Sequence, residues 1–131
     1  MSFTASQDGF APGEALDFDV FTTEQGPWIL AAFCRGKLVA QDTFSGKGLQ
    51  RLSLTCPDDV AGVLRVTLFD HRLQPVAERL VHRASGRKIQ VSLRADHPTV
   101  IPGERQHIEV RTTDETGAPV SAVVGLSLIH I

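Results

Sequence analysis

Two cysteines, five histidines and one glycine-rich tetrapeptide are the residues of this chain whose types bear most directly on chemistry. Cys34 and Cys56 would form a disulfide in an oxidising compartment if their Cα atoms lay within about 7 Å. Their strand-like surroundings favour the other reading, two small buried hydrophobes. His71, His82, His97, His107 and His130 raise the question of zinc. No pair of them has i, i+2 or i, i+4 placement beside a supporting carboxylate, the arrangement that would suggest zinc ligation. Asp70-His71 lacks the Gly-x-Ser-x-Gly elbow that would supply a serine nucleophile, so both read as solvated turn residues. "SGKG" at 45–48 would cradle phosphate only if a helix began after it. "LQRLSLT" follows instead and alternates as a strand. We therefore expect no catalytic residue, no cofactor site and no metal site in this chain, and no enzyme activity.

The elements that would position these residues are strands. After the Pro-Gly turn at 12–13, "ALDFDVFTT" places Leu16, Phe18 and Val20 on one face, with Asp17, Asp19 and Phe21 opposite, a half-buried strand. "GPWILAAFCRGKLVAQDTF" reads as a hairpin turning at Arg35-Gly36-Lys37, with strands near 28–34 and 38–44. Leu52, Leu54 and Cys56 share a face, as do Leu64, Val66 and Leu68. In "PVAERLVHR", adjacent Glu78 and Arg79 point to opposite faces, so any ion pair must reach another strand. With a short opening strand before Pro12, residues 2–84 yield seven strands at sandwich spacing.

"ASGRK" at 84–88 reads as a hinge, after which the pattern restarts. "IQVSLRA", "RQHIEVRTT" and "VSAVVGL" are three further expected strands, too few to close a second sandwich. The second Pro-Gly-Glu, in "VIPGERQHIEVRTTDETGAPV" from Val100, echoes "FAPGEALDFDVFTTEQGPWIL" from Phe10. The fold class is thus all-β: a complete sandwich over 1–87, then the opening strands of another over 88–131.

The totals agree. A chain of 131 residues, 42% hydrophobic, can bury a core. A net charge of −2 with scattered Lys and Arg offers nucleic acid no basic stripe. "MSFTASQDGF" lacks the charged and apolar regions of a signal peptide, and "PWILAAF", the longest apolar run, is too short to span a bilayer. On this reading the protein is cytosolic, or the segment is internal to a longer exported one.

Two longer stretches, "GVLRVTLFDHRLQPVAERLV" at 62–81 and "KIQVSLRADHPTVIPGERQHIEVRTTDETGAPVSAVV" at 88–124, carry a resemblance. They are similar to the alpha-2-macroglobulin family, especially its bacterial members. The order of motifs resembles the macroglobulin domain that precedes the bait-carrying domain, followed by the first strands of that next domain. The resemblance implies seven-stranded fibronectin-like sandwiches in tandem, and a role as a structural segment of a protease inhibitor. It also implies target proteases as partners of the whole protein, neighbouring macroglobulin domains as partners within the chain, and a periplasmic or extracellular location. The fragment alone is expected to inhibit nothing. The β patterning equally permits a cell-surface adhesion module.

Two features depart from the family. "TTEQG" at 22–26 resembles the Cys-x-Glu-Gln thioester motif, but Thr22 stands where the sulfur is needed, so a polar turn is expected. "LSLIHI" at 126–131 replaces the family's apolar run into an Asp turn. It resembles a translated sequencing-adapter end, and we expect these six residues to be foreign to the gene.

Overall fold

The computed structural model describes residues 1–129 and is all-β. No helix among the described residues is long and apolar enough to cross a membrane. The chain divides into two compact units, Met1–Gly86 and Arg87–Ile131.

The first unit is a β-sandwich. Its strands are β1 (Ser2–Ala5), β2 (Gly9–Phe10), β3 (Leu16–Thr22), β4 (Trp28–Cys34), β5 (Lys37–Phe44), β6 (Gly48–Leu54), β7 (Gly62–Phe69) and β8 (Pro75–Arg83). One sheet runs β1-β3-β6, the other β2-β8-β7-β4-β5. Period-2 alternation explains the layering, because successive side chains of a strand leave on opposite faces. Leu16, Phe18 and Val20 of β3 and Leu64, Val66 and Leu68 of β7 are all fully buried between the sheets. Phe3 of β1 meets Phe18 with ring centroids 5.3 Å apart. Burying a side chain of that size contributes about 2–3 kcal/mol. The β4–β5 hairpin turns at Arg35 and Gly36, both at positive φ (51° and 77°), the backbone of a two-residue type I′ turn.

The opening segment, read above as one strand, is split. β1 pairs antiparallel with β3, whereas β2 pairs parallel with β8 in the opposite sheet. The chain crosses between them at Ser6–Asp8: the Ser6 N–H still bonds Asp17 O, and the His82 N–H bonds Asp8 O. The split makes β1 the edge strand of one sheet and the two-residue β2 the edge strand of the other.

The second unit has β9 (Gln90–Ala95) and β10 (Ile108–Thr113), paired antiparallel from Thr113 with Gln90 to Ile108 with Ala95. Every residue of β9 is exposed. The third expected strand, "VSAVVGL" at 120–126, is not one here. A single bridge, Thr113 with Pro119, marks its approach to β10, and beyond Val120 it has no ladder partner. Alternation selects the face a residue takes but does not supply the edge it needs. Of the six terminal residues, 126–129 are exposed without regular structure, and His130 and Ile131 lie outside the described residues.

Candidate functional site

One end of the sandwich gathers charged, thiol and imidazole side chains around a cleft. The cleft, of about 590 Å³, is lined by Cys34, Arg35, Lys37, Asp59, His82 and Ser85, among others. The type I′ turn delivers Arg35 at the end of β4, and β5 starts with Lys37. The 57–61 loop brings Asp59, and β8 brings His82 on its outward face.

Beneath this end lies Arg83, the largest fully buried side chain of the molecule. Its guanidinium donates to three backbone carbonyls, those of Pro57 (2.6 Å), Val60 (3.1 Å) and Cys56 (3.5 Å). Its Nε–H is buried and unbonded. A buried guanidinium that spreads its donors over a loop locks that loop, and no carboxylate partner is needed to hold the geometry. Arg79, four residues earlier on the same strand, donates through Nε to Phe3 O at 2.8 Å and so links β8 to the other sheet. Sequence reasoning missed Arg83. The available signal was parity: Arg83 follows Val81 by two, so an inward-facing arginine was implied by the strand's alternation.

The cysteines sit in the same core cluster as free buried thiols. Cys34 Sγ lies 3.7 Å from Ala61 O. Burial raises the Cys56 pKa, the Arg83 charge opposes that rise, and Cys34 adds to it. A thiol held protonated in this way is a poor nucleophile, since the thiolate is the reactive form.

The two sequence decoys turn out to be partners. The Thr22 hydroxyl of "TTEQG" lies 3.1 Å from Glu24 O and 3.0 Å from Gly46 O, the second belonging to "SGKG". The Gly46 N–H in turn donates to Gln25 O at 2.7 Å. The two turns are fastened to each other through Gly46.

The histidines do not converge. His71 is exposed in the β7–β8 turn, His82 lines the cleft, and His97 and His107 are exposed in the second unit. His130 lies outside the described residues. Among the described residues no three His, Cys, Asp or Glu side chains gather to hold a metal. Asp70 is engaged by the backbone rather than by His71: its Oδ1 accepts from the Gln74 (2.9 Å) and Arg72 (2.8 Å) amides. Those bonds, Gln74's first, hold its pKa below the ordinary carboxylate value. Glu78 and Arg79 do diverge, with Glu78 reaching across to Arg65 of β7 at 3.7 Å.

No protein-family model matches the chain, and no curated protein matches it significantly.

Proposed function

We propose that this chain is a structural segment of an alpha-2-macroglobulin-like protease inhibitor: one macroglobulin-type sandwich followed by the start of the next domain. The single observation that carries the reading is the recurrence of one entry turn in both units. At 11–14 the Glu14 N–H donates to Ala11 O (3.1 Å), and the Ala11 N–H donates back to Glu14 Oε2 (2.6 Å). At 101–104 the Glu104 N–H donates to Ile101 O (3.1 Å), and the Ile101 N–H donates to Glu104 Oε2 (3.1 Å). Gly13 and Gly103 take φ of 75° and 89°, the left-handed position that this Pro-Gly turn requires. A repeated entry turn ahead of a repeated strand pattern is what tandem modules of one type would carry.

In this reading the sandwich is a stiff wall. Arg79 and Arg83 tie its layers and its end loop together, so force from bait cleavage elsewhere in the protein moves the module as a body. The test uses the longer reading frame around this segment, expressed and mixed with an endopeptidase. A trap predicts loss of cleavage of a protein substrate, with hydrolysis of a small peptide substrate retained. Undiminished cleavage of both, or a reading frame of near-identical modules ending in a wall anchor, would replace the inhibitor by an adhesion protein.

A further inference from the structure

The two units share a second turn. In the first, the Asp70 N–H donates to Gln74 O and the Leu73 N–H to Asp70 O, while Asp70 Oδ1 accepts from residues 72 and 74. In the second, the Asp114 N–H donates to Ala118 O and the Gly117 N–H to Asp114 O, while Asp114 Oδ1 accepts from residues 116 and 118. Leu73 and Gly117 both take positive φ, 61° and 85°. Pro-Val follows each turn. In the first unit that Pro-Val opens β8, which is zipped onto β7 along its length. In the second, pairing stops at Val120.

We propose that the free edge of β10 is a strand-accepting site whose occupant is the chain's own 120–125 segment, with Thr112 opposite Val120, Val110 opposite Ala122 and Ile108 opposite Val124. The first contacts of this ladder already exist: the Val120 N–H donates to Thr112 O at 3.1 Å, and Thr112 Oγ1 donates to Val120 O at 2.6 Å. The rest of the edge is correctly oriented. The Asp96 N–H bonds His107 O, so the odd-numbered residues of β10 bond toward β9. Backbone groups alternate sides in an antiparallel pair. Ile108 and Val110 therefore direct their N–H and C=O groups to the open side.

Side-chain parity selects the register. The β9–β10 pairing puts Val91, Leu93 and Ala95 beside Thr112, Val110 and Ile108 on one face. The proposed register continues that face with Val120, Ala122 and Val124. A shift of one residue, such as the irregularity at Leu68/Phe69 in the β7–β8 ladder, would put Ser121, Val123 and Gly125 there instead, one large apolar side chain where the proposed register has two. A two-stranded sheet is marginal in water, and a third strand with a shared apolar face is what it lacks. The inference stands on register alone and does not require the inhibitor reading.

The test is NMR on the 131-residue chain, with Ala122→Pro as the comparison. Proline removes the amide that would bond Val110 O, and Ala122 is exposed and lies outside the first unit. Expected are Hα–Hα contacts of Arg111 with Ser121 and Glu109 with Val123. The Ile108 and Val110 amides should exchange about tenfold slower in the parent chain than in Ala122→Pro. The proposal is overturned by absence of those contacts, by contacts of Arg111 with Ala122 and Glu109 with Val124, or by protection unchanged in Ala122→Pro. It also fails if protection rises with protein concentration, which would give the edge to a second copy.

Discussion

The two units use the same local rules and reach different ends. Both have the Pro-Gly-Glu entry turn, an alternating strand after it and an Asp-anchored turn. Yet Val20 and Val66 are fully buried, whereas Val91 is 52% and Val110 39% exposed. Turn chemistry and alternation act within a few residues and therefore operate in both units. Burial depends on a second layer, and the described residues of the second unit form only one. Strand formation and core formation are thus separate steps, and this molecule displays them side by side.

The sharpest way to break that comparison is to truncate matching apolar side chains. Phe18→Ala should destabilise the first unit by about 3–5 kcal/mol, a large part of a typical domain's stability. Leu93→Ala, on a residue 59% exposed, should change stability by less than about 0.5 kcal/mol. Urea unfolding followed by Trp28 fluorescence reads the first, and circular dichroism of the whole chain reads the second. Comparable losses would mean that both units share one core.

Arg83→Ala comes next. It strips donors from the carbonyls of Cys56, Pro57 and Val60, the first of them buried, and should cost about 2 kcal/mol. The same unfolding assay checks it, and a loss no greater than that of an exposed second-unit arginine, Arg94→Ala, would remove Arg83 from the account.

How far the sequence led follows the same division. The inward sets Leu16-Phe18-Val20 and Leu64-Val66-Leu68 were legible because alternation is a property of the strand itself. So was the turn at Arg35-Gly36. The sheet switch at Ser6–Asp8 was not, because a two-residue β2 carries no period to read. Arg83 was hidden by its charge, although its parity with Val81 pointed inward. The joining of "TTEQG" to "SGKG" was invisible because it depends on β3 and β6 pairing in register from Leu16 with Leu54 to Thr22 with Gly48. For 120–126, alternation gave the strand-like pattern and left its partner unspecified.

Two smaller effects sharpen the comparison. Cys56, 3% exposed and away from the cleft lining, should react with a thiol reagent roughly a hundredfold more slowly in the native protein than in denaturant, because reaction requires opening of the core. Mass spectrometry of the alkylated chain measures it, and equal rates would place this thiol outside the core. The Asp-anchored turns should respond alike to acid. Asp114 is held below the ordinary carboxylate pKa by the Thr116 hydroxyl and amide, as Asp70 is by the Gln74 and Arg72 amides. A lowered folded-state pKa means that the carboxylates support their turns above the ordinary Asp value near 3.9. That support is lost as pH falls below this value and through the lower folded one. The amide shifts of Gln74 and Ala118 should therefore titrate together below the ordinary range, and a midpoint at or above that value for either would separate the two turns.

The most direct test of the central claim is native-state hydrogen exchange on the whole chain across a denaturant series. Amides of β3, β4 and β7 should exchange only through one cooperative unfolding with a shared denaturant dependence, while those of β9 and β10 exchange far faster and with little dependence. Amides of β9 and β10 that share the protection and slope of β4 would show one interior where this account has two units, and would contradict it.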